Sequence, residues 1–210
     1  MEGIVRLWLN ISYSVTKPLS RIGVTPNSLT FFGLIFGILV YLTSNSIWAP
    51  IFLVFSLICD GVDGSLALIS NKSSKMGAVL DSIVDRFTEI FWVLALYQLG
   101  VDIYLLLFVC TIAFTQEYLR ARAMGAGLTE ITIVTFAERP VRASFIFIAL
   151  IAFQIEFQIL NMVVVIWSVL QLISFLMIVR FIYSKIYKAF PIAFATISAL
   201  IPTSGNPPPG

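Results

Sequence analysis

Long apolar runs dominate the chain, separated by short polar stretches. Six runs fall at approximately 28–44, 47–69, 76–99, 103–125, 140–157 and 159–184, each close to the length of about 17–25 residues that carries a helix across a bilayer. Their Ile, Leu and Phe do not alternate with polar residues as the strands of a membrane barrel would. The pattern therefore predicts an all-α integral membrane protein, a bundle of six transmembrane helices. Ahead of it, "GIVRLWLNISYSVTKPLSRI" (residues 3–22) mixes Leu, Trp and Ile with Arg6, Lys17 and Arg21. That composition suits an amphipathic helix lying in the interface, with Pro18 as a break. No small-residue cleavage site marks the first span as a signal peptide. The chain divides on this reading into a juxtamembrane segment at 1–27, a six-helix domain at 28–188, and a segment at 189–210. The last is apolar and then ends in "PTSGNPPPG", a composition expected to be disordered.

Composition supports the membrane assignment. Hydrophobic residues make up 59% and charged residues 11% of the 210, where a soluble domain is about a quarter charged. All thirteen lysines and arginines fall on one side of the predicted spans, while the opposite loops carry Asp102 and Glu156 and no base. The positive-inside rule then puts both termini, and the loops joining helices two to three and four to five, in the cytoplasm. The expected location is the cell membrane, with multiple passes. A net charge of +2 gives no sign of a nucleic-acid surface. Cys59 and Cys110 have no partner at metal or disulfide spacing and read as small apolar core groups. There is no histidine, so proton transfer falls to carboxylate, lysine, tyrosine or bound water.

Four aspartates break the apolar pattern. Asp60, Asp63, Gly64 and Ala67 stand at i, i+3, i+4 and i+7 near the cytoplasmic end of the second helix. Gly77, Asp81 and Asp85 stand at i, i+4 and i+8 near the cytoplasmic end of the third, and "SNKSSK" between them is short enough to make the two helices antiparallel neighbours. The acidic faces are thus expected to converge. A carboxylate within the bilayer costs a few kcal/mol on insertion scales, and four together repel. A divalent cation answers both problems, and an all-oxygen set favours Mg²⁺, Mn²⁺ or Ca²⁺ over Zn²⁺. Four carboxylates suffice for two ions. A transporter pathway would carry acids on across the membrane, whereas these cluster at one mouth. The glycines and alanine either leave room for a ligand or permit close helix packing.

The spacing Asp60-x-x-Asp63-Gly64-x-x-Ala67, then Gly77-x-x-x-Asp81-x-x-x-Asp85, resembles the signature of the CDP-alcohol phosphotransferase family. Seven of its eight fixed positions match; the exception is Leu68, where the family has arginine. "GVTPNSLT" (Gly23 to Thr30) is similar to the family segment that contacts the CDP part of a lipid donor, and Ser74 stands where relatives carry a Ser or Thr with the same role. "EYLRARAMGAGL" and "AERPVR" resemble the subgroup that makes phosphatidylinositol phosphate or its archaetidyl counterpart. The likeness covers roughly residues 15–185.

That resemblance implies transfer of a phosphatidyl or archaetidyl group from a CDP-linked lipid to a polar alcohol, with release of CMP. It makes Asp60, Asp63, Asp81 and Asp85 ligands of Mg²⁺ or Mn²⁺, two ions per site, and Asp85 also the base. Thr25, Pro26, Asn27, Ser28, Gly64, Ala67, Ser74 and Gly77 would hold the CDP-lipid. It also implies a homodimer. Arg120, Arg122, Arg139 and Arg142 would hold the phosphate of the acceptor, expected to be a phosphorylated inositol, since guanidinium binds phosphate bidentately. They can equally anchor lipid headgroups, or pair locally as Arg120 with Glu117 and Glu138 with Arg142. Glu89 is read as a partner of Arg86. Glycerol 3-phosphate or another polar alcohol is the alternative acceptor; a transporter or an inactive member is the alternative of another class. Lys72 and Lys75 are the candidates to supply the charge missing at Leu68, or they touch anionic lipid.

Overall fold

The computed structural model describes Thr16, Pro18 and residues 23–128, 133–156 and 159–200. The amphipathic segment expected at 3–22 and the Pro/Gly-rich tail lie almost wholly outside these residues. All regular structure within them is helical: α1 Pro26–Leu42, α2 Trp48–Ile69, α3 Lys75–Gln98, α4 Ile103–Gly125, α5 Arg139–Gln154 and α6 Leu160–Leu200. Three of these are long and apolar enough to cross a membrane, namely Trp48–Ile69, Ile103–Gly125 and the Leu160–Ile186 part of α6.

Local sequence sets the helix ends. Thr25 caps α1, its Oγ1 accepting from the Ser28 N–H at 3.2 Å, with Pro26 in the first turn. Ser74 caps α3 and Asp102 caps α4, accepting from the Gly77 and Leu105 N–H groups at 2.9 and 3.0 Å. Gly127, at φ +95°, reverses the chain after α4, a left-handed conformation natural to glycine. α6 runs on to Leu200, past the reading that stopped at 184. The expected span stopped ahead of Lys185 and Lys188, and backbone hydrogen bonding has no such limit.

α1 packs against α2 and α3, α4 and α5 pack against α6, and α5 reaches across to both α2 and α3. Small residues bring α1 close to its neighbours. A Cβ at Gly37 would sit 2.8 Å from the Thr88 methyl of α3, and Ser56 of α2 donates to the Gly33 carbonyl at 2.8 Å. The core joins Leu53, Trp92, Leu96, Leu106, Ile146, Leu150 and Trp167, all nearly inaccessible. Around it, Phe31, Phe32, Ile35, Phe55, Leu107 and Leu176 face outward, as lipid-facing positions do. Cys59 and Cys110 are free, partly buried thiols.

Candidate active site

The polar end of α2 and the first turns of α3 meet as the sequence pattern predicts. Asp60, Asp81 and Asp85 each present an oxygen within 4.8 Å of the others. Asp63, 5% exposed, stands beside them and accepts a hydrogen bond of 2.7 Å from the Thr30 hydroxyl of α1. Thr30 lies 33 positions away in sequence; it closes the "GVTPNSLT" segment, but nothing there marked it as a partner of Asp63. Among the described residues, Asp81 Oδ1 is buried without a hydrogen-bond partner. Such an orphan is uncommon in native structures and fits a cation, as does the all-carboxylate donor set.

Beside the carboxylates lies a cavity of about 220 Å³. Pro26, Asn27, Gly64, Ala67, Ser74 and Gly77 line it together with Asp63 and Asp81. The family resemblance implies that these six hold the CDP-lipid, and the fold gathers them in one place. A Cβ added at Gly64 would meet nothing within 4 Å. That glycine therefore does not mediate close helix packing, and its missing side chain widens the cavity. Thr25 and Ser28 do not line the cavity; their hydroxyls pair with each other at 2.6 Å in the cap of α1.

The four arginines separate into different roles. Arg139, at the start of α5, extends its guanidinium to Asp60 Oδ1 and, at 2.5 Å, to Asp85 Oδ1, with the Trp92 ring 5.6 Å away. Arg142, one turn on and 1% exposed, contacts Glu89 at 2.7 Å, Glu117 at 3.3 Å and the Ala137 carbonyl at 2.9 Å. Arg120 of α4 holds Glu138 at 2.5 and 3.0 Å, and Arg122 is exposed. The expected Arg86–Glu89 pair is present at 3.0 Å. The two local pairs offered as alternatives are not formed. Glu138 lies outside α5 in extended backbone, at φ −68° and ψ 161°, so its carboxylate turns back to Thr135 and Arg120 instead of up the helix to Arg142. Arg142 takes Glu117 in place of Arg120. Burial alone would raise the Glu138 carboxyl, but hydrogen bonds from Arg120 and Thr135 outweigh it and hold it below the usual carboxylate range.

Residues 23–179 match the sequence profile of the CDP-alcohol phosphatidyltransferases, and the chain belongs to that family. It is 33% identical over 141 residues to the archaetidylinositol phosphate synthase of Pyrococcus horikoshii, a match covering 64% of this chain and 73% of that one. It is 30% identical over 127 residues to the phosphatidylinositol phosphate synthase of Corynebacterium glutamicum, covering 55% and 58%. The fold is similar to that of Mycobacterium tuberculosis phosphatidylinositol phosphate synthase crystallised with CDP-DAG, at a TM-score of 0.68 and 21% identity, over 83% of this chain and 94% of that one. The same mycobacterial enzyme in complex with manganese and citrate aligns at a TM-score of 0.70 and 20% identity, over 82% and 88%.

Proposed function

We propose that this protein is a membrane lipid synthase that transfers a phosphatidyl or archaetidyl group from a CDP-linked lipid to an inositol phosphate, releasing CMP. The observation that carries the reading is the buried, unpartnered oxygen of Asp81 among converging carboxylates, beside a cavity lined by small residues. The names of the relatives in Pyrococcus and Corynebacterium support the acceptor.

Asp60, Asp63, Asp81 and Asp85 would hold Mg²⁺ or Mn²⁺, two ions per site, which when bound neutralise the diphosphate and polarise the attacked phosphorus. The rest of the work is positioning. The acceptor hydroxyl attacks the phosphorus nearest the lipid. A new phosphorus–oxygen bond forms, the bond to the bridging diphosphate oxygen breaks, and CMP leaves with that oxygen. Asp85 takes the hydroxyl proton in this scheme. Of the four arginines, we assign to the acceptor's phosphate Arg122, which is exposed, and Arg139, whose partners Asp60 and Asp85 are the carboxylates that the ions would take over. Arg142 and Arg120 are engaged by Glu89, Glu117 and Glu138 and act by holding the start of α5.

In the membrane, the reading is a six-crossing bundle over 28–188 in the cell membrane, with both termini and the site toward the cytoplasm. The one-sided lysines and arginines support it. A homodimer is implied by the family likeness alone. The test is CMP release from a CDP-lipid, assayed with inositol phosphate, free inositol and glycerol 3-phosphate. Release that depends on inositol phosphate is expected. Equal release with glycerol 3-phosphate would move the acceptor, and no release with any alcohol would reject the synthase.

A further inference from the structure

Among the described residues, the cavity beside the aspartates has one basic side chain on its wall, Lys72, and the backbone places it there. α2 closes at Ser70, and Asn71 adopts a left-handed conformation at φ 50°. The Asn71 N–H then bonds the Leu68 carbonyl at 3.3 Å and the Lys72 N–H bonds the Ala67 carbonyl at 3.0 Å. This paired closure folds the chain back on the last turn of its own helix. It carries Lys72 to the cavity, alongside Asp63, Ala67, Leu68, Ser74 and Asp81, while Lys75 begins α3 and is not among the lining residues. Leu68, at 72% exposure, offers that wall only methyl groups.

Carboxylates alone would repel an anionic ligand from this space. Resting on the synthase reading above, we infer that Lys72 binds the diphosphate of the CDP-lipid and sets the affinity for the donor, supplying the positive charge that Leu68 cannot. The ammonium is a compact charge on a flexible stem, so it serves phosphate oxygens at the open edge of the cavity without a bidentate geometry. Its role is in binding, and the transfer itself remains with the aspartates.

The experiment measures KM and kcat for the CDP-lipid, and the dissociation constant of the same lipid, for wild type, Lys72→Ala, Lys72→Arg, Lys75→Ala and the double variant Lys72→Ala with Leu68→Arg. Measurements are made in phosphatidylcholine vesicles and repeated with anionic lipid added. Losing a charge-assisted contact is expected to raise KM and the dissociation constant of Lys72→Ala about tenfold or more, with kcat changed far less. Lys72→Arg and the double variant are expected to recover most of that loss, and Lys75→Ala to match wild type. An active wild type with unchanged donor affinity in Lys72→Ala would overturn the assignment. So would an effect confined to anionic vesicles, which marks a headgroup anchor, or failure of both arginine variants to restore binding. A wild type that releases no CMP with any acceptor would instead reject the synthase reading, and this inference with it.

Discussion

Two groups of charges stand one helical turn apart at the same end of the bundle, and they differ in how fully they are satisfied. Behind the site, Glu89 receives Arg86 on one oxygen and Arg142 on the other, and Arg142 also reaches Glu117 and the Ala137 carbonyl. At the site, Asp60 and Asp85 share a single guanidinium, and an oxygen of Asp81 has no partner. Burying charge in a protein interior is costly unless it is paired and hydrogen-bonded. The first group meets that condition from within and ties α3, α4 and α5 together. The second is left incomplete among the described residues, the condition in which a cation would be bound. The contrast separates scaffold from site more sharply than residue type does, since both groups consist of carboxylates and guanidinium.

The largest effect is expected where satisfaction is lacking. Asp60→Ala and Asp81→Ala should lower turnover by at least about 10²–10³-fold, the scale for removing one preorganised electrostatic group. Thermal unfolding of the purified variants should change little, or rise, because a repelling charge is gone. A CMP-release assay beside a melting curve checks both; a large loss of melting temperature with activity retained would reverse the roles of the two groups.

The scaffold group should respond the other way. Arg142→Ala leaves buried Glu89 with Arg86 alone and takes the Arg142 contact from the partly exposed Glu117, and is expected to destabilise the fold by about 3 kcal/mol, the lower end for breaking a buried pair. Replacing Arg142 by Met and Glu89 by Leu together should recover much of it. Unfolding in detergent titrations measures this, and a stable Arg142→Ala variant would show that the network is not structural.

A smaller, pH-dependent effect belongs to the loop before α5. Glu138 is held below its ordinary carboxylate range, so it contributes stability that is present above that range and lost as pH falls through its folded value. The advantage of wild type over Glu138→Gln should therefore be full near neutrality and shrink as the pH drops below about 4.3. The pair is partly open to solvent, and its worth is on the order of 0.2–1 kcal/mol. An advantage that grows on acidification would contradict the assignment.

Much of the site was legible in the sequence because its logic is local. Asp60 with Asp63, and Asp81 with Asp85, repeat at helical spacing, and the short "SNKSSK" brings the acidic ends of their helices to one mouth; the expected packing of α2 directly against α3 is not formed, because α1 packs against both. Helix boundaries followed the apolar runs to within a few residues, save at the end of α6, which continues to Leu200; the caps at Thr25, Ser74 and Asp102 agree with those boundaries. The satisfied network was not legible. Arg142 meets Glu89 across 53 positions and Glu117 across 25, and only the packing of α5 against α3 brings the first of these pairs together. Local spacing suggested other partners for Arg120 and Glu138; it failed for Glu138 because a residue just outside a helix does not share the helix face, and for Arg120 because the distant Glu138 takes it while Arg142 takes Glu117. The pairing of Thr30 with Asp63, across 33 positions, was not legible either.

The central claim is that the aspartate group is completed by a divalent cation from outside. Direct counting of bound Mn²⁺ by electron paramagnetic resonance, on purified protein in lipid nanodiscs with no substrate present, tests it without reference to turnover. Saturable binding that Mg²⁺ displaces, and that Asp81→Asn and Asp60→Asn abolish while Arg142→Met does not, is the result predicted. Equal binding in wild type and in the aspartate variants, or no binding to a wild type that turns over in excess chelator, would contradict it.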